Sequence, residues 1–127
     1  MTATTTSLRT VLRVDAVACA AFGVAMTAGA PLADRFLGLG TAWAVPLGVY
    51  LLGCAAALVL IAGYPNLVRG QVAAIAVNNA VAAVALAALP FTGLVDFTAA
   101  GYVLMLASAV LVAGFAAIEA AGARALA

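Results

Sequence analysis

Four long stretches of this chain carry almost no polar side chain: about Val14 to Ala33, Thr41 to Ala62, Gln71 to Leu89 and Ala99 to Ile118. A helix rises 1.5 Å per residue, so about 20 apolar residues cross a hydrocarbon core about 30 Å thick. Each stretch meets that length. Apolar positions surround every stretch rather than forming one stripe, as expected of helices that face both lipid and one another. The Ala-, Leu- and Val-rich segments show no period-two alternation, so the strands of a membrane barrel are not expected.

The breaks between these stretches are short and carry turn chemistry. Gly38 and Gly40 close the first, Gly63-Tyr64-Pro65-Asn66 makes the second, and Pro90 with Gly93 opens the third. Short connections force neighbouring helices antiparallel. The predicted fold is therefore all-α: one transmembrane four-helix bundle, up-down-up-down, occupying residues 1–127 as a single domain. Ser7 suits the N-cap of the first helix. Pro31 is expected to bend or end that helix, and Pro46 is tolerated if it falls in the first turn of the second.

A faint repeat runs through the pattern. Arg13-Val14-Asp15 before the first span echoes Arg69-Gly70-Gln71 before the third, and Gly48-Val49-Tyr50 in the second echoes Gly101-Tyr102-Val103 in the fourth. Two tandem helical hairpins would produce this, and so would chance resemblance between Ala- and Leu-rich helices.

Composition sets the solvent. The chain has 127 residues, of which 69% are hydrophobic and 7% charged, whereas a soluble domain has about a quarter of its residues charged. Its partner is the lipid bilayer. A net charge of +1 with no basic run excludes nucleic acid. No His is present, which removes the commonest metal ligand and proton shuttle. Cys19 and Cys54 lie in apolar runs, where a thiol behaves as a small hydrophobe. No catalytic, metal or cofactor signature appears, so neither an enzyme nor a cofactor protein is expected.

Arginine placement predicts direction. Arg9, Arg13, Arg69 and Arg124 fall on one side and only Arg35 on the other. This bias predicts a multi-pass protein of the cell membrane (inner or plasma) with both termini and the middle loop cytoplasmic. Phe36, Trp43, Phe91, Phe97 and Tyr102 suit an aromatic belt at the outer boundary, with Tyr64 at the inner one. Signal-peptide cleavage after Ala30 is not expected, since it would put Pro31 at the first mature position and leave three spans.

The informative residues are the polar ones inside the spans. Asn78 and Asn79 lie roughly 12 Å into the third span by helical rise. Adjacent side chains point about 100° apart on a helix, so the two cannot serve the same partner. Cys54, Ser108 and Tyr50 lie at comparable depth, and with the two asparagines they form a candidate polar layer. This layer holds either a small ligand or interhelical hydrogen bonds of about 0.6 kcal/mol each. Asp15 has no basic neighbour on its own helix face and must reach the headgroups or another helix. The expected partners form an inner-face ionic cluster of Arg13, Asp15, Arg69, Glu119 and Arg124. The alternative is an Asp15 carboxyl that binds a proton or cation in transport.

The Arg13-Val14-Asp15-Ala16 opening, the four spans and the Asn78-Asn79 pair together resemble uncharacterised small integral membrane proteins of high-GC Gram-positive bacteria. In size and layout the chain is also loosely similar to DoxX-like four-helix proteins. It is similar to small multidrug-resistance transporters in architecture alone: their acidic residue lies well inside the first span, while Asp15 is expected nearer the interface. The first of these resemblances brings no activity with it.

Small residues recur through the spans: Ala20, Gly23 and Thr27, then Gly48, Gly53, Ala56 and Ala57, then Gly101, Ala109, Ala113 and Gly114. Such faces let helices approach closely in lipid. Together with the lack of reactive groups they favour an accessory or scaffold subunit or a small homo-oligomer, its partners being copies of itself or a larger membrane complex. The alternative is a small proton- or cation-coupled transporter or channel, its path near Asp15 and Asn78/Asn79.

Overall fold

The computed structural model describes residues 3–126, so residues 1, 2 and 127 of the expected domain lie outside the described part. Among the described residues the chain is all helix, turn and loop. It forms α1 (Ala3–Ala28), α2 (Ala30–Leu37), α3 (Thr41–Gly63), α4 (Arg69–Ala88), a 3-10 turn (Leu89–Phe91) and α5 (Ala99–Ala125). α1, α3, α5 and α4 with its 3-10 turn are long and apolar enough to cross a membrane. Only 22–28% of each span is buried inside the bundle, so their outward faces need an apolar solvent. The chain is a small multi-span membrane protein built as a four-helix bundle.

The first helix is displaced from its expected span, beginning at Ala3 and ending at Ala28 rather than running to Ala33. Gly29 turns the chain, and Pro31 then lies in the first turn of a separate short helix, where its missing N–H has no helical partner to lose. α2 ends at Gly38, whose φ of +76° is left-handed and whose N–H returns to the Asp34 carbonyl. A side chain is excluded there twice over, by that backbone and by the Asp96 carbonyl packed against the α-carbon. Thr98 joins this corner to α5. Its hydroxyl donates to the Phe36 carbonyl at 2.7 Å and accepts from the Gly101 N–H at 3.1 Å, so one side chain caps α5 and ties it to the end of α2.

The bundle is two helix pairs. α1 packs along α3, α4 packs along α5, and α3 scarcely touches α4. Close approach of α1 and α3 rests on two glycines. A β-carbon on Gly48 would lie 2.6 Å from the Thr27 Cγ2 and 2.9 Å from the Gly23 carbonyl. Gly101, its counterpart in the faint repeat, packs instead against the Leu37 backbone. Pro46 lies in the second turn of α3 rather than the first.

Two apolar clusters close the ends. Met26, Ala30, Leu39, Phe97 and Met105 pack at the α2 end. Leu8, Leu12, Leu58, Val72 and Ala123 pack at the end carrying the termini. Phe97, expected in the belt, is buried with its ring edge-on to Tyr102 at 5.9 Å. Phe36, Trp43 and Phe91 do face outward. At the terminal end Arg9 reaches across to α3, donating from Nη1 to the carbonyls of Ala62 at 2.5 Å and Tyr64 at 2.7 Å. Those carbonyls belong to the last turn of a helix and its cap, which lack intrahelical donors and attract a cation.

Candidate functional site

Between the two clusters the helix pairs separate around a cavity of about 550 Å³. α1, α3, α4 and α5 all contribute to its wall, which is apolar over most of its length, with Phe22, Trp43, Leu47 and Phe115 among the lining residues. Its polar groups are Asp15, Cys19, Tyr50, Cys54, Asn78, Asn79 and Ser108. The expected polar layer of Asn78, Asn79, Cys54, Ser108 and Tyr50 thus converges on one cavity.

The two asparagines diverge as helical geometry requires. Asn78 turns toward α3, accepting from the Tyr50 hydroxyl at 2.5 Å and donating to the Cys54 sulfur at 3.6 Å. Asn79 turns into the bundle. Its Nδ2 donates to Asp15 Oδ2 at 2.8 Å and to Glu119 Oε1 at 2.6 Å. One amide nitrogen carries two hydrogens, so a single side chain on α4 serves both a carboxyl of α1 and a carboxyl of α5.

These three side chains are the most isolated polar groups of the described chain: Asp15 is 2% exposed, Asn79 5% and Glu119 0%. The carboxyl groups of Asp15 and Glu119 thus meet at one nitrogen. Cys19, one turn above Asp15, directs its thiol to Asp15 Oδ1 at 3.5 Å. Glu119 Oε2 is buried with no hydrogen-bond partner, a costly position for an acceptor unless it carries a proton or meets a cation.

The expected ionic cluster is divided by the fold. Asp15 and Glu119 go inside, whereas Arg13, Arg69 and Arg124 are all exposed. The acids are deeper than the sequence placed them. By bonding to Asn79, Asp15 joins a level roughly 15 Å along α4 from Arg69 by helical rise. Arg69 and Arg124 instead flank a separate alanine-lined groove between α4 and α5. Cys19 and Cys54 are both free thiols.

The sequence separates Asn79 from the two acids, and the structure merges them. Each lacks a partner on its own helix, and that shared need is the signal the sequence offers. The cavity walls at Phe22, Trp43 and Phe115 left no such signal, because an aromatic ring facing a cavity reads like one facing lipid. No protein-family model, curated protein or solved structure matches the chain.

Proposed function

We propose that the chain is a small membrane transporter coupled to a proton or monovalent cation. In this reading the Asp15–Asn79–Glu119 set is the coupling site and the adjoining cavity holds the transported molecule. One observation carries it: two buried carboxyls on different helices share one amide donor, while of the four arginines at that end Arg13, Arg69 and Arg124 remain outside and Arg9 is turned to the carbonyls of Ala62 and Tyr64. Two ionised carboxylates so placed repel each other in apolar surroundings, and a proton or cation between them removes the repulsion. A purely structural role is served better by apolar packing, or by an acid paired with an arginine. The arginine bias supports termini on the cytoplasmic side, so the coupling site lies in the cytoplasmic half of the bundle.

The test is proton flux into reconstituted phospholipid vesicles under an imposed pH gradient, followed with an entrapped pH-sensitive dye. Flux above that of empty vesicles is expected for the wild type and for Arg13→Gln, and its loss is expected in Asp15→Asn and Glu119→Gln. Wild-type flux that survives both acid substitutions would reject the coupling role.

A second reading, the accessory subunit or homo-oligomer, has its own support in outward small residues. Gly53 and Gly114 face outward and a β-carbon on either would meet nothing within 4 Å, which leaves room for another helix. Recovery of a lone monomer from mild detergent, with no co-purifying partner, would remove it.

A further inference from the structure

Three features of the cavity bear on what enters it: the distribution of charge, the nature of its walls, and its opening. Asp15 is the only Asp, Glu, Lys or Arg among its lining residues. The guest is therefore met by an acid and by neutral polar groups, and by no cation. The rest of the wall is aliphatic and aromatic, and aromatic faces such as those of Phe22, Trp43 and Phe115 attract organic cations as well as apolar groups. A volume of about 550 Å³ falls within the range of pockets that enclose a drug-sized molecule.

The opening is lateral. α3 and α4 scarcely touch along their length, and between the end clusters hydrogen bonds among Tyr50, Asn78 and Cys54 bridge them. Tyr50 and Val81 line the cavity and also face outward. A molecule dissolved in the bilayer thus reaches the cavity between α3 and α4 without passing through either apolar end cluster.

Resting on the transport reading above, we propose that the cavity binds a lipophilic organic cation, an onium or protonated amine on an apolar body, admitted from the bilayer between α3 and α4. The cationic group is drawn to Asp15 and the apolar body lies against the aromatic walls. The groups that meet Asp15 are Asn79 from α4, Glu119 from α5 through that same amide, and Cys19 from its own helix, while Cys54 and Tyr50 line the same cavity from α3. None of them is basic. A bound cation and a bound proton therefore compete for the same carboxyl pair, which is the exchange that coupling requires.

Trp43 lines the cavity and is the sole tryptophan of the chain, so its fluorescence reports on the occupant. The full chain in phosphatidylcholine nanodiscs is titrated with tetraphenylphosphonium and, separately, with tetraphenylborate, an anion of the same shape. Signals from empty discs are subtracted. A saturable change is expected with the cation and not with the anion. Asp15→Asn is expected to weaken it at least about tenfold, the equivalent of 1.4 kcal/mol, while Arg13→Gln leaves it unchanged. Equal response to both ions, response to neither, or undiminished binding in Asp15→Asn overturns the proposal. The wild-type comparison of the two ions decides even if the Asp15 variant fails to fold. Proton flux that depends on Asp15 with no cation binding rejects the organic cation and leaves the coupling reading standing; cation binding without flux does the reverse.

Discussion

Asp15 on the first span and Glu119 on the last are joined through one nitrogen, the Asn79 amide, at 2.8 and 2.6 Å. Three of the four spans meet at this point, and both acids are buried there with an amide as their shared donor. The fourth span faces the same cavity through Tyr50 and Cys54.

Removing the shared donor tests how much the bundle relies on it. Asn79→Ala leaves two buried carboxyls short of a hydrogen bond and is expected to cost about 1–3 kcal/mol. Asn78→Ala breaks the bond from Tyr50, about 0.6 kcal/mol, and a long, weak one to the Cys54 sulfur, at a less buried position, and is expected to cost less than Asn79→Ala. Equilibrium unfolding in mixed detergent micelles compares them, and equal costs would contradict the distinction.

Glycine at 48 is demanded by contact, whereas glycine at 53 is not. A methyl at Gly48 would press into Thr27 and the Gly23 carbonyl, so Gly48→Ala is expected to destabilise by about 1–3 kcal/mol through overpacking. Gly53→Ala meets open space and is expected to stabilise α3 by about 0.5–1 kcal/mol through backbone entropy. Thermal melting in one detergent gives both signs.

Arg9 holds the end of α3 through the carbonyls of Ala62 and Tyr64. Arg9→Ala is expected to loosen this corner by about 0.5–1.5 kcal/mol, read as faster amide exchange over residues 63–68. Arg9→Lys should restore part of it, because both bonds come from one nitrogen, Nη1, and an ammonium nitrogen also carries more than one donor.

Tyr50→Phe removes a hydrogen bond that crosses the α3–α4 opening. A loss of about 0.6 kcal/mol corresponds to about a threefold change in rate. Stopped-flow Trp43 fluorescence should show entry and exit of tetraphenylphosphonium accelerated together, with the equilibrium affinity nearly unchanged. A change in affinity alone would place Tyr50 in contact with the guest instead of at its entrance.

Much of this molecule follows from local chemistry. The four spans, the all-α bundle and the antiparallel path depend on segment length, on apolar residues around each helix and on short Gly- and Pro-containing breaks, all of which act within a few residues. The divergence of Asn78 and Asn79 also follows from one helix alone. What the sequence left open was partnership. Asp15 could satisfy its charge with Arg69 or Arg124 across the headgroup region, or with a neutral donor deeper in the bundle. Both are compatible with its position in the chain. The choice belongs to the packing: the glycine contact of Gly23 and Gly48 draws α1 against α3, while α4 and α5 form the other pair. Their meeting sets Asn79 between the acids and leaves the arginines outside. The cavity is likewise a tertiary property, because a space between helices is a matter of how they separate, and no single segment encodes it.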